Sequence, residues 1–288
     1  GSKYYETPHV DQLAREGMKF MDAYACAPNC APSRACLMSG LYGPRHGVYT
    51  VANSDRGQAK FRKLVPIKNT TELAGRFVTM AETLKSAGYV TATMGKWHLG
   101  GGEGMTPNEQ GFDEFLGFLP GGAMFMEEGD SQVVNSKQDF DPIDKLLWAN
   151  LKYAVRFNDG DRFKPDSHMT DYLSREAVRV IEANCNRPFF LYLAYNAPHT
   201  PLQAEKNDYD ALHHIADHTE RTYAAMIRGL DRGIGDVLEA LEAHGLSDNT
   251  VVIFTSDNGG ASYVGLPDLN KPYRGWKITF FEGGIHTP

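Results

Sequence analysis

Tyr89-Val90-Thr91-Ala92-Thr93-Met94-Gly95-Lys96-Trp97-His98-Leu99-Gly100 is the stretch on which the fold turns. Tyr89 to Met94 is short, largely apolar and rich in β-branched residues, which predicts a buried strand. Just ahead of it, Thr79 and Glu82 stand at capping-box spacing and Gly88 stops the helix they begin. A helix leading into a buried strand is the repeating half of a βαβ unit. The strand is followed at once by two groups with chemistry, Lys96 and His98.

The same alternation extends both ways. Thr7 at N-cap and Pro8 at N1 open a short helix, with Val10, Leu13 and Ala14 on one face and Gly17 at its end. Met169 to Ala183 carries helical spacing of Tyr172, Leu173, Ala177, Val180 and Ile181. Phe189 to Tyr195 is a continuous apolar run, as in a strand buried on both faces. A long helix is expected from about Ala216 to His244, closed by Gly245, and Val251 to Thr255 reads as another buried strand. Strands alternating with helices predict an α/β fold, with a mainly parallel central sheet flanked by helices. Gly100 to Asp166, rich in Gly, Asp and Asn, reads as long loops with one helix near Leu146 to Val155. No repeat or linker divides the chain, so residues 1–288 are taken as one domain. Both edges look cut: Gly1-Ser2 reads as a cloning scar or fragment edge, and Gly283 to Pro288 stop without a closing element.

The 288 residues, 42% hydrophobic and 23% charged, suffice for a large core in an ordinary globular protein. A net charge of −7 leaves no global basic field for nucleic acid or a membrane surface. No apolar run approaches the roughly 18 residues of a membrane span. A local basic pocket for a small anion remains compatible with both facts. The four cysteines, Cys26, Cys30, Cys36 and Cys185, contain no CxxC pair and fit no zinc pattern. Cys26, Cys36 and Cys185 are read as buried thiols or one disulfide.

Polar residues cluster after three expected strand ends: Lys96 and His98, then His199, then Asp257 and Asn258. Open parallel sheets bind ligands beyond the carboxyl ends of their strands, so the three clusters imply one converging site. A further segment, Cys30-Ala31-Pro32-Ser33-Arg34-Ala35-Cys36-Leu37-Met38-Ser39-Gly40, reads as a helix with Pro32 in its first turn and Leu37 and Met38 on its buried face. Cys30 then lies just ahead of a helix N-terminus, where free amides and the dipole favour an anion. Arg34 adds a permanent positive charge one turn on.

That segment resembles the signature of the sulfatase family, C/S-x-P-S-R followed by a hydrophobic residue and T/S-G, met here by Cys30, Pro32, Ser33, Arg34, Leu37, Ser39 and Gly40. Gly95 to Gly100 is similar to the family's G-K-W-H-L-G box, and Ala197-Pro198-His199-Thr200-Pro201 to its A-P-H-x-P element. Ser256-Asp257-Asn258-Gly259 and Arg274-Gly275-Trp276-Lys277 with Glu282-Gly283-Gly284 resemble two more family segments. The resemblance runs from Thr7 to Pro288 and implies an alkaline-phosphatase-like α/β scaffold. It implies a sulfuric ester hydrolase, with sulfated carbohydrate as the expected substrate class. Cys30 would be oxidised to formylglycine by a formylglycine-generating enzyme. One hydroxyl of the hydrated aldehyde would attack sulfur, and loss of a proton from the other, to His98, would release sulfate. Lys96 and Lys277 would neutralise the sulfuryl oxygens, and His199, with Lys277, would protonate the leaving oxygen. Asp257, Asn258 and the modified Cys30 would ligate Ca²⁺, with Mg²⁺ as the alternative. The family places such enzymes in the periplasm or outside the cell.

Two departures stand out. His286 occupies a position where the family usually has Arg. The family's Asp-Asp pair on the first core strand, two further metal ligands, has no counterpart here, and neither has its smaller C-terminal subdomain. The chain is therefore expected to be an incomplete catalytic domain that binds Ca²⁺ poorly by itself. Two other readings stand beside sulfate hydrolysis: a formylglycine-dependent phosphodiesterase or phosphonate monoester hydrolase, and a non-catalytic binding module on the same scaffold.

Overall fold

Thr79 caps its helix as the spacing predicts. Its Oγ1 accepts from the Glu82 N–H at 3.1 Å, and the Glu82 carboxylate accepts from the Thr79 N–H at 2.7 Å. The computed structural model describes residues 4–55 and 57–287, so Gly1-Ser2 and Pro288 lie outside the described residues. In chain order, α1 (Pro8–Glu16), β1 (Ala23–Tyr24), α2 (Cys30–Ser39), α3 (Gly43–His46) and α4 (Met80–Ser86) lead into β2 (Val90–Lys96) and β3 (Glu114–Phe118). Then follow β4 (Val133–Ser136), α5 (Pro142–Asn150), β5 (Val155–Phe157), β6 (Arg162–Phe163), α6 (Met169–Asn184) and β7 (Phe189–Ala194). The chain closes with β8 (Leu202–Glu205), α7 (Lys206–Ala211), α8 (His218–Ala243), α9 (Glu282–Ile285) and β9 (His286–Thr287).

The main sheet has the order β6-β5-β3-β2-β7. β2 is parallel to both β3 and β7, whereas β5 and β6 extend the sheet antiparallel beyond β3. Side chains alternate across it, as period two requires. Ala92, Met94, Leu191 and Leu193 join α6 and α8 in one core; Phe190 and Tyr192 face the other core, with Ala31, Ala35, Met38, Trp97 and Phe112. At the carboxyl ends the strand backbones crowd together. A Cβ on Gly117 would lie 2.0 Å from the Gly95 carbonyl, and one on Gly95, at φ +102°, 2.1 Å from the Ala194 carbonyl. Only glycine allows that approach, and it sets the exit of Lys96 from the sheet.

Several expectations are corrected. Val251 to Thr255 is not a strand: it pairs with no strand among the described residues and leaves Val251 86% and Ile253 81% exposed. An apolar run supplies propensity, but a strand also needs a neighbour for its backbone groups. Correspondingly, among the described residues β7 bonds to β2 alone and is half-buried over Phe189 to Leu193 rather than buried on both faces. Gly100 to Asp166 is not merely loops. It holds β3, which pairs parallel with β2 in the middle of the sheet, and its helix lies earlier than expected, at Pro142–Asn150, where Asp141 caps it by accepting from the Ile143 N–H at 2.7 Å. Finally, Cys30 is the first residue of α2 rather than ahead of it, and Leu37 is exposed while Met38 is buried.

Candidate active site

The site is assembled around the N-terminus of α2. Asn29 is its N-cap, accepting from the Cys30 N–H at 3.1 Å, and the Ser33 hydroxyl donates to the Ala27 carbonyl at 2.6 Å. These bonds fix the Cys30 side chain, 3% exposed, against the strand ends. The far end of the chain is brought to the same place. β1 pairs with β9, the Ala25 N–H donates to the Ile285 carbonyl, and the Ile278 N–H donates to the Pro28 carbonyl, both at 2.7 Å. Lys277 is thereby held beside Cys30. His286 serves this joint: its Nε2 lies 2.9 Å from the Met21 carbonyl and its ring contacts Tyr24 and Tyr273.

Cys30 is ringed by Lys277 and Lys96, which face it as charges, and by His199 and His98, whose rings stand close enough to favour its ionised form. Burial opposes ionisation of its thiol, but these four groups outweigh burial and hold it well below its ordinary range. Lys96 is pushed down to about 8 by burial, with Arg34 adding to the effect; Lys277 moves upward, because Cys30, Tyr263 and Asp257 outweigh its burial. His199 is pushed down to about 4 by burial and by the two lysines. Its Nδ1 lies 2.6 Å from the Thr200 carbonyl and donates there, so Nε2 carries the lone pair in the neutral ring. His98 is depressed too, by burial above all, and its buried Nδ1 has no partner. Both imidazoles rest on the loop after β3. A Cβ on Gly121 would lie 2.6 Å from the His98 ring, and one on Gly122 3.5 Å from His199 Nδ1.

Arg34 does not turn to Cys30. Its guanidinium donates to Asp257 Oδ2 at 2.8 Å, to the Lys96 carbonyl at 2.8 Å and to the Tyr192 hydroxyl at 3.2 Å. It binds α2 to the ends of β2 and β7 and to the turn after Thr255. Burial opposes the ionisation of Asp257, yet Arg34 holds its carboxyl below the usual range. Asn258 follows, with its Oδ1 buried and unpartnered. Seven of the eight residues singled out in the sequence thus meet through direct contacts or charges: Cys30, Lys96, His98, His199 and Lys277 as one cluster, with Asp257 linked to it through Arg34. Asn258 lies one residue beyond Asp257. Sequence reasoning missed Asn29, Tyr192, Tyr263 and the Gly121-Gly122 loop. Asn immediately before a helix start is a legible cap signal; Tyr192, inside an apolar run, read as core.

The fit of this site to a hard cation is partial. An orphaned buried amide oxygen on Asn258 and a carboxylate on Asp257 suit calcium, but calcium takes about six to eight oxygens. Among the described residues no group of three His, Cys, Asp or Glu side chains stands where it could hold a metal ion.

Buried cations and imidazoles gathered around a helix N-terminus, beyond the carboxyl ends of parallel strands, give this α/β protein a site whose charges suit an anion. The chain belongs to the sulfatase family: the family's model, described as Sulfatase, matches residues 1–288. A sulfatase of Formosa agariphila is 32% identical over 324 residues, covering 100% of this chain and 58% of that protein. The human N-acetylgalactosamine-6-sulfatase is 31% identical, with 100% and 52% covered. The chain therefore spans little more than half the length of these relatives. The crystal structure of Ps i-CgsB in complex with k-i-k-neocarrahexaose superposes with a TM-score of 0.80 at 36% identity, covering 100% of this chain and 60% of that one. A phosphonate monoester hydrolase of Agrobacterium radiobacter shares the fold, with a TM-score of 0.64 at 19% identity.

Proposed function

We propose that this chain forms the core of a sulfatase that hydrolyses sulfate esters of carbohydrates at Cys30. The observation that carries the reading is the ring of Lys96, Lys277, His98 and His199 around that one side chain. A sulfate ester is an anion whose cleavage puts further charge on the leaving oxygen. Lys96 and Lys277, each under 7% exposed, meet the sulfuryl oxygens in a water-poor site, where fixed charges act most strongly. The same sulfate neutralises the lysines that depress His199. Its basicity then recovers, and Nε2 can hold the proton that the leaving oxygen needs. His98, also beside position 30, would take a proton from a hydroxyl there. Arg34 keeps Asp257 ionised and fixes the Lys96 carbonyl. Formylglycine in place of the Cys30 side chain would supply the hydroxyl nucleophile and a route for releasing the product. Asp257 and Asn258 would hold part of the coordination of calcium, or of magnesium, adding positive charge at the sulfuryl oxygens.

The remaining ligands are expected from a further strand bearing an Asp pair. The free edge of β7 and the unpaired run from Val251 to Thr255 support its placement there. Maturation by a formylglycine-generating enzyme and a periplasmic or secreted location belong to the same reading. Carbohydrate is favoured as the substrate class because the human relative is named for a sulfated amino sugar and the Ps i-CgsB structure holds a neocarrahexaose. A phosphonate monoester hydrolase shares the fold, so formylglycine-dependent phosphonate monoester or phosphodiester hydrolysis stands as the second reading. The test is to express the protein in a host that makes formylglycine, weigh the tryptic peptide 20–34, and compare turnover of an aryl sulfate with that of an aryl phosphate diester. An aldehyde at position 30 with sulfate preferred supports the reading. An unmodified thiol in fully active enzyme, or preference for the diester, overturns it.

A further inference from the structure

Three of the four cysteines lie within eleven residues, and the site uses only the middle one. Cys36 sits two residues past Arg34, about 200° round the helix at 3.6 residues per turn, so it faces away from the strand ends. It is 5% exposed, and its sulfur is enclosed by α2, α3 and the loop from β1. Cys26, in that loop, is exposed, and its thiol lies close enough to act on the Cys36 thiol. His46 closes the other side, with Nε2 3.3 Å from Cys36 Sγ. Its Nδ1 accepts from the Val48 N–H at 3.1 Å, so in the neutral ring the proton is on Nε2 and is donated to the sulfur. That donor favours a thiolate at Cys36 during exchange, although burial and the Cys26 thiol push Cys36 up to about 12 at rest. The resting thiol is thus kept protonated, facing a sulfur that solvent can reach.

We propose that Cys26 and Cys36 are a redox pair that closes to a disulfide in an oxidising compartment, fastening the loop that leads to Cys30 onto the helix that Cys30 begins. The oxidant is a disulfide, small or protein-borne. The Cys26 thiolate attacks one of its sulfurs, forming a mixed disulfide and releasing one oxidant thiolate. The Cys36 sulfur then attacks Cys26 Sγ, displacing the second oxidant thiolate, and the Cys36 proton passes to solvent. Two thiols of the chain are oxidised and one external disulfide is reduced to two thiols. The bridge leaves Cys30 without a thiol neighbour to pair with, and it constrains the same short segment that Asn29 and Ser33 already hold by weaker bonds. Closing so short a loop should stabilise modestly, because the unfolded chain loses little freedom.

The experiment is to equilibrate the full-length protein with oxidised and reduced glutathione, block free thiols, and digest with trypsin. Cys26 and Cys30 share peptide 20–34 and Cys36 lies in peptide 35–45, so fragment ions must locate the linked sulfur. The expected result is a Cys26–Cys36 link, with Cys185 blocked and no link at Cys30. Reduction should then lower the melting temperature of the wild type by several degrees and leave Cys26→Ser, an exposed substitution, unchanged. His46→Gln should slow closure at a fixed glutathione ratio. A link through Cys30 or Cys185, or glutathione held on Cys26 while Cys36 stays free, overturns the proposal.

Discussion

Two apolar runs of similar length end in polar motifs of the site, and they behave differently. Val90 to Met94 is locked between β3 and β7, buried from Thr91 onward, and delivers Lys96 and His98 from a rigid frame. Val251 to Thr255 delivers Asp257 and Asn258 with no ladder on either side among the described residues and with its side chains exposed. Asp257 is positioned instead by Arg34, and the glycines beyond it by the Gly259 N–H on the Gly284 carbonyl and the Lys277 N–H on the Gly260 carbonyl, each 2.9 Å. One half of the site is thus held by a sheet and the other by side-chain and loop bonds. The cationic half is built in; the oxygen-donor half leans on Arg34.

Hydrogen exchange should show the largest contrast. Amides of Thr91 to Gly95 are expected to exchange at least about a thousandfold more slowly than those of Val252 to Thr255, since only the former are bonded within a buried core. Equal protection would break the comparison. An N-terminal extension carrying the expected Asp strand should slow exchange both there and at β7. Next in size, Lys96→Met should lower kcat/KM for an aryl sulfate by roughly a thousandfold with the melting temperature unchanged or raised, because burial already works against that charge. A fall in stability matching the fall in rate would mean that Lys96 holds the fold rather than the sulfate.

Smaller still is the effect of Arg34→Met on stability. It leaves the Asp257 carboxylate and the Lys96 carbonyl without their donor, and urea unfolding should show a loss of about 3 kcal/mol. Loss well under about 1 kcal/mol would show that Asp257 does not depend on it. The smallest expected effect is on pH dependence. Lys96 is charged below about 8 and loses its proton above, so kcat/KM should decline as pH rises through that value. Lys96→Arg, whose charge persists, should hold whatever rate it retains flat across the same range.

These contrasts also bound what the sequence could tell. The capping box at Thr79, the strand before Lys96 and the helices α6 and α8 followed from local spacing and cap chemistry, which act within a few residues. The membership of the site followed from motif resemblance. Val251 to Thr255 misled because β-propensity says nothing about whether a partner strand is present. β3 was hidden because Glu114-Phe115-Leu116-Gly117-Phe118 is short and sits among glycines, and only its pairing with β2 makes it central. The partners of Arg34 were hidden for a similar reason: its three acceptors come from segments 62, 158 and 223 residues away, a distance no local pattern reports.

The claim on which the rest depends is that position 30 carries the attacking group. Cys30→Ala, made in the full-length protein in a host that installs formylglycine, tests it through the rate of aryl sulfate hydrolysis. Turnover falling to background, with the melting temperature within a few degrees of wild type, is the outcome expected of a nucleophile precursor set in an otherwise complete fold. Hydrolysis at the wild-type rate would contradict the account and move the chemistry to another residue.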